Sequence, residues 1–246
     1  MGLLLGLLAA TRAGSNRATA PLVRERSSAV ALTGGPNTSM VYLARAGDRL
    51  IAIDLGWWGS DRAVRSALRD LDASPGDVTD VFLTHSHRDH VGAWRLLSAS
   101  RFHTADAERP LLVGARDHRG WIPRLAERLK PSGLPGARDI EVTGFTKDTA
   151  FVFGTDTLRA FIVPGHTTGS TVYLFRGVLF LGDAATYTPW GGFAPAKRGF
   201  SDDPREAATN LAALWKRLPS GSTRYVCTAH ARCRAFSPAF LRDIGE

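Results

Sequence analysis

A chain of 246 residues, 44% hydrophobic and 22% charged, can bury a large core as one sizeable domain or two intimately packed halves. Its formal charge of +8 favours anionic ligands. It comes mostly from arginines scattered along the whole length, with no block of five or six like charges, so it reads as a solvated surface and no nucleic-acid partner is expected. Cys227 and Cys233 lie six apart, outside any CxxC spacing; they fit neither a disulfide framework nor a zinc knuckle and read as ordinary core thiols.

The N-terminal MGLLLGLLAATRAGS carries about nine apolar residues in a row, too few to span a bilayer. No Lys or Arg precedes the run, and the cleavage site after Ala13 is weak for a signal peptide. Residues 1–27 are therefore set apart as an apolar and basic extension, with 28–246 as the folded domain, and a cytoplasmic location is favoured over export on so weak a signal.

SSAVALT and TSMVYLAR, separated by the turn-forming Gly34-Gly35-Pro36-Asn37, predict an opening hairpin, and RLIAIDLG a further strand. SDRAVRSALRDL has apolar positions at 64, 67, 68 and 71, a helical spacing, with Ser60 or Asp61 available as its cap. DVTDVFLT predicts a buried strand and VGAWRLLSA a helix; residues 103–140, rich in Arg and Pro, resist assignment. IEVTGF, AFVFG, LRAFIVP, TVYLFRG and VLFLGD then form a series of strands, PREAATNLAALWKRL an amphipathic helix and RYVCTAH a last strand. That order suits a layered sheet-on-sheet core flanked by helices.

The unusual polar residues fall at one kind of position. Asp54 follows LIAI, His85 follows VFLT, His166 follows FIVPG, Asp183 follows VLFLG and His230 follows YVCTA. Strand ends on one rim of a rigid sheet are where loops converge into a site. Imidazole and carboxylate suit zinc, iron or manganese. In THSHRDH, His85 and His87 can point the same way while Asp89 and His90 turn back at the start of the predicted helix, whose amino terminus favours a nearby anion. Two metals can then sit side by side.

THSHRDHVG matches the H-x-H-x-D-H signature of the metallo-β-lactamase fold superfamily, and PGHTTGS, FLGDAA and CTAH resemble its later ligand motifs in their usual order. The resemblance covers about residues 28–235. It implies an α/β protein, an αββα sandwich with a binuclear centre at one edge of the two stacked sheets. His85, His87 and His166 would hold the first metal, Asp89, His90 and His230 the second, and Asp183 would bridge both. Asp54 and Thr84 would orient the ligands by hydrogen bonds. Two divalent cations about 3.5–4 Å apart, zinc first and iron or manganese as alternatives, would supply hydroxide at neutral pH and polarise the substrate. Asp89 would also orient the nucleophile or pass a proton to the leaving group.

The aspartate at 183 resembles glyoxalase II, lactonases and related hydrolases, since β-lactamases of this fold lack it. Phosphodiesterases and ribonucleases also carry it but usually add an RNA-clamping insertion or a further domain, which is not evident here. The chain ends about sixteen residues after His230, whereas glyoxalase II has a C-terminal helical region that carries much of its glutathione binding. A small ester, lactone or thioester is therefore the expected substrate. Lactonases often place a tyrosine three residues after the bridging aspartate; Tyr187 is four after Asp183 and is the candidate donor to the substrate oxygen. TYTPWGGFAPAKRGFSDD offers Trp190, Phe193 and Phe200 as apolar contacts and Lys197 or Arg198 for a substrate carboxylate, with Trp57 and Trp58 on a neighbouring loop. An iron-dependent persulfide dioxygenase and a non-catalytic binding module are the rivals from other classes; the complete ligand set argues against both.

Overall fold

The computed structural model describes residues 23–244 apart from 33–34, 58, 130–132, 189, 191 and 232. The N-terminal apolar run and Trp58 lie outside the described residues. Strands β1 (Val23–Leu32), β2 (Gly35–Ala46), β3 (Arg49–Ile53), β4 (Val78–Phe82), β5 (Arg101–Ala105) and β6 (Glu141–Phe145) form one six-stranded sheet in that order. A second sheet takes β7 (Thr149–Phe153), β8 (Asp156–Ile162), β9 (Thr171–Phe175) and β10 (Val178–Gly182). After the separate hairpin β11 (Ala185–Tyr187) and β12 (Phe193–Pro195) it gains β13 (Tyr225–Thr228) and β14 (Arg234–Ala235), in the order 14-13-10-9-8-7. Among the described residues the α-helices are α1 (Asp61–Arg69), α2 (Arg109–Leu112), α3 (Trp121–Leu129) and α4 (Pro204–Arg217).

Alternation along the strands explains the layering. In β2, Met40, Tyr42, Ala44 and Ala46 enter the core between the sheets, while Val41 and Leu43 face the opposite way. In β10, Val178 and Phe180 face inward and Leu179 and Leu181 outward. Both faces of each strand are buried, so these segments read as near-continuous apolar runs. The outer face of the first sheet is covered by Val64, Ala67 and Leu68 of α1 with Trp94 and Leu97. That of the second is covered by Leu211 and Leu214 of α4 with Phe193 and Phe240. The result is a mixed α/β sandwich of two stacked sheets between helical layers.

Several local expectations change. The hairpin of β1 and β2 is present, but Leu32 pairs with Gly35 and β1 begins at Val23, so the sheet takes in residues assigned above to the extension. VGAWRLLSA holds only a 3-10 turn, Trp94–Leu97, because Trp94 and Leu97 are drawn into the core within a short connection between parallel strands. Ser60 occupies the N-cap position of α1, yet its hydroxyl donates to the Leu55 carbonyl at 2.6 Å. RFHTA forms β5, in the stretch that composition left unassigned. Cys227 and Cys233 are not thiols but a disulfide; the bond joins the end of β13 to the loop that returns to β14, around His230.

The strand directions place the rim. β3 and β4 run parallel, and so do β10 and β13; β8 and β10 are both antiparallel to β9 and hence parallel to each other. The carboxyl ends of β3 and β4 thus open on one edge of their sheet, and those of β8, β10 and β13 on one edge of theirs. The two edges are tied together: Tyr173 donates its hydroxyl to the Leu83 carbonyl at 2.8 Å, and the Thr171 amide donates to Thr84 at 2.8 Å.

A buried charge sits in the first sheet. Asp80 accepts hydrogen bonds from His103 at 2.7 Å, Thr79 at 2.7 Å and Arg49 at 3.1 Å, and His103 stacks on Phe82. Burial alone would raise the Asp80 pKa, but these donors outweigh it and hold it at about 2. A depressed carboxylate pKa gives stability that is present above the ordinary value and lost as pH falls through the folded one. Asp80→Asn is expected to cost about 2 kcal/mol at pH 7, a difference that shrinks as pH falls from 4 towards 2. Denaturant unfolding of the metal-free protein at both ends of that range measures it. Loss of the disulfide in a Cys227→Ser, Cys233→Ser variant is expected to cost a further ~2 kcal/mol for so short a loop, read as a lower unfolding midpoint.

Candidate metal centre

Two glycines bring the rim close enough to form a site. Gly182, before Asp183, has φ +52°, and a Cβ there would lie 2.5 Å from the Thr84 hydroxyl. Gly165, before His166, has φ +128°, and its Cβ would meet the Ala207 backbone at 2.1 Å. Any side chain at either position would push a candidate ligand off the opposing loop or helix. Asp54 itself adopts φ +54°, an uncommon conformation for a residue with a side chain, and its carboxylate is turned onto the histidine loop.

The predicted residues meet in overlapping groups. His85, His87 and His166 form one; His85, His90 and Asp183 a second; Asp89, His90 and His230 a third. His85 Nε2, His87 Nδ1 and His166 Nε2 lie 3.1–3.2 Å from one another. Asp183 stands between the groups, with Oδ2 3.7 Å from His166 Nε2 and Oδ1 3.1 Å from His230 Nε2. Asp89 Oδ2 lies 3.5 Å from His230 Nε2 and 3.8 Å from His90 Nε2.

For His85, His90 and His166 the far side of the ring fixes which nitrogen faces the cluster. Asp54 accepts from the Thr84 amide, the Thr84 hydroxyl and His90 Nδ1, each at 2.8 Å. With its own proton given to Asp54, Thr84 Oγ1 accepts from His85 Nδ1 at 3.1 Å. Ser201 gives its proton to the Lys197 carbonyl and accepts from His166 Nδ1 at 3.3 Å. The Nε2 atoms of His85 and His166 are therefore left as lone pairs aimed inward, and that of His90 faces the same way. Lone pairs at such separations repel unless a cation lies among them, and the spacing is close to the ~3.3 Å edge of a tetrahedron of ligands about 2.0–2.1 Å from zinc. His90 Nε2 is buried without a hydrogen-bond partner, too far from Asp89 and Asp183 to bond either. The donor set and this orphaned nitrogen fit a metal centre.

Electrostatics agree. Burial, reinforced by neighbouring imidazoles, holds His85 and His87 well below the usual histidine range, and burial brings His166 to about 4. These rings are neutral, as metal ligands must be. For His90, burial opposes protonation, but Asp54, Asp89 and Asp183 overcome it and raise the pKa to about 9; a field that holds a proton there also holds a metal cation. Burial likewise disfavours the Asp183 anion, yet His230, His90 and His166 keep its carboxyl well below the ordinary range.

Other expected residues fall elsewhere. Tyr187 does not present its hydroxyl to the centre: that group donates to the Val226 carbonyl at 2.7 Å, while the ring stacks on Phe193 and beneath Arg234. Phe193 is fully buried in the outer core of the second sheet with Trp215 and Phe240, because β12 folds back on β11 and carries it inward. Trp190 is 90% exposed and neither it nor Arg198 lines the cavity beside the centre. Trp57 and Lys197 do line it, with Phe200. The predicted helix after His90 is absent, so no helix amino terminus faces the site there.

Two residues had no signal in a single sequence. His118 lies in the cavity wall, its ring 4.4 Å from that of His87. Glu108, wholly buried just before α2, accepts from the Ser86 amide at 2.7 Å and hydroxyl at 2.5 Å, from the Thr167 hydroxyl at 2.7 Å and from the Gly169 amide at 2.9 Å. It binds the loop of His85 and His87 to the loop of His166. Glu108→Ala, which leaves four buried donors unpaired, is expected to cost about 2–4 kcal/mol and to weaken metal binding about 10- to 100-fold. Glu108→Gln should lose less. Chelator competition read beside denaturant unfolding separates the two effects.

The sequence profile of the metallo-beta-lactamase superfamily matches residues 34–230. A hydroxyacylglutathione hydrolase from Bartonella henselae is 29% identical over 147 residues, 59% of this chain and 46% of that protein. Metallo-beta-lactamase domain-containing protein 1 from Xenopus laevis is 30% identical over 190 residues, 76% of this chain and 65% of that protein. The chain thus spans less than two thirds of either relative. Among solved structures, a metallo-beta-lactamase from Pontibacter korlensis superposes with a TM-score of 0.66 at 16% identity, covering 92% of this chain and 96% of that one, a likeness of fold.

Proposed function

The chain belongs to the metallo-β-lactamase superfamily, and within it we propose a binuclear zinc-dependent hydrolase of small esters, lactones or thioesters. The observation that carries this reading is Asp183, whose Oδ2 lies 3.7 Å from His166 Nε2 and Oδ1 3.9 Å from His90 Nε2, while both oxygens lie 3.1–3.2 Å from His230 Nε2. In this reading His85, His87 and His166 hold one ion, Asp89, His90 and His230 the other, and Asp183 is shared. When bound, two such ions acidify a water and polarise the substrate carbonyl.

The chain's own residues do the rest. Asp54 and Thr84 fix the rotation and tautomer of His85 and His90, and Ser201 does the same for His166. Asp89 is partly exposed at the cavity floor. Its carboxylate takes a proton from the attacking water and returns it to the leaving oxygen or sulfur. Trp57 and Phe200 form apolar walls, so that the reacting carbonyl meets the centre from one open side.

Zinc-loaded protein is expected to carry two equivalents by elemental analysis and to hydrolyse at least one member of a panel of lactones, thioesters and esters, all lost to chelator. Asp183→Asn should lower the metal content and reduce turnover by about 100-fold or more. One tightly held iron with oxygen consumption, and no hydrolysis across the panel, would overturn the reading in favour of a redox enzyme.

A further inference from the structure

The wall above the centre is strongly cationic. The cavity of about 860 Å3 is lined by Arg88, Arg116, Arg124, Arg128 and Lys197. Against these five cations stand two carboxylates outside the metal centre, Asp117 and Glu127. Arg116 is held by Thr168 and Ala107, and Arg88 lies over Trp57. Arg124, Arg128 and Lys197 have no carboxylate within 4 Å among the described residues. Three unpaired cations at one mouth are a field for an anion.

The helix beside this mouth carries apolar side chains both outside and inside the cavity. Six large hydrophobic side chains are exposed among the described residues, and four of them, Trp121, Leu125, Leu129 and Phe200, belong to α3 or to the turn packed on it. Trp121, Leu125 and Leu129 are spaced by four and share a helix face that does not line the cavity, whereas Arg124 and Arg128 of the same helix do. On the inner side, Leu111, Ile122, Ala126 and Leu134 continue the apolar lining. The helix is anchored at its start by Asp202, which accepts from the Arg119 and Gly120 amides at 2.6 and 2.9 Å, so this surface is held over the site by hydrogen bonds.

We propose that the substrate is an anionic amphiphile: an acyl ester or thioester whose apolar acyl chain lies against the inner lining of Leu111, Ile122, Ala126 and Leu134 and whose leaving group carries carboxylate or phosphate for Arg124, Arg128 and Lys197. This rests on the hydrolase reading for the reaction, but not for binding. Water adds its oxygen to the acyl carbon, the acyl–oxygen or acyl–sulfur bond breaks with its electron pair on the leaving atom, and the proton of the water passes to that atom. The products are a free fatty acid and an anionic alcohol or thiol.

The test uses full-length zinc-loaded protein with acetyl and octanoyl thioesters of three thiols: mercaptosuccinate, phosphocysteamine and neutral mercaptoethanol. Octanoyl is expected to exceed acetyl by about 10- to 100-fold in kcat/KM. Anionic heads should exceed the neutral one by about tenfold, a margin that shrinks in high salt; preference between the two acids tells carboxylate from phosphate. Arg124→Gln with Arg128→Gln, and separately Lys197→Gln, should bring the head-group ratio towards unity. Arg65→Gln, outside the cavity, should keep it. Equal rates across chain length and charge overturn the inference while leaving the hydrolase intact. The thioether S-octyl mercaptosuccinate, titrated calorimetrically, keeps the two apart: micromolar binding without turnover of any ester upholds this inference and sinks the hydrolase, whereas no binding sinks the inference.

Discussion

Three imidazole nitrogens from two loops face one another at 3.1–3.2 Å, and those of His85 and His166 are turned there by the hydroxyls on the far side of their rings. Without a cation this arrangement is repulsive and desolvated, so the protein must spend structure to hold it. That constraint explains the abundance of buried hydrogen bonds at the rim, because neutral histidines in a dry setting are only as well placed as the groups behind them.

Two carboxylates serve as crosspieces. Asp54, at the end of β3, fastens Thr84 and His90 and so fixes the histidine loop to its own sheet. Glu108 fastens that loop to the His166 loop of the other sheet. Tyr173 and Thr171 add hydrogen bonds across the same seam. Each is buried with its partners satisfied, the condition under which a polar group in a core specifies geometry instead of weakening it. The disulfide that closes around His230 acts on the one candidate histidine ligand that is most open to solvent.

The candidate metal centre and the outer wall of the cavity are built differently. The candidate ligands come from strand ends and from loops tied to both sheets, whereas the outer wall comes from α3 and the turn at residues 198–200, which pack on each other through Gly120 and Gly199 and are tied to the His166 loop through Asp202. Function varies in such appended walls while the rigid rim persists. In the proposed reading the hydrolytic chemistry would rest on the rim, and substrate recognition on the cations and apolar residues of α3.

The candidate centre was legible in the sequence because its residues sit in compact motifs at the ends of apolar runs, and local spacing together with strand periodicity suffices to see both. The two-sheet sandwich was legible for the same reason: strands buried on both faces leave continuous apolar runs. What depended on distant partners was not. Tyr187 and Phe193 follow Asp183 in sequence, but the fold-back of β12 turns them into the core. Glu108, His118 and α3 lie in a stretch whose local pattern is weak, and only the docking of that stretch over the rim makes them part of the site. The cysteines had no spacing that signals a pair, and their bond exists because β13 and its return strand bring them together. Sequence by itself determined the superfamily's chemical groups and their order; tertiary structure decided which side chains share a cavity, because that depends on packing between segments dozens of residues apart.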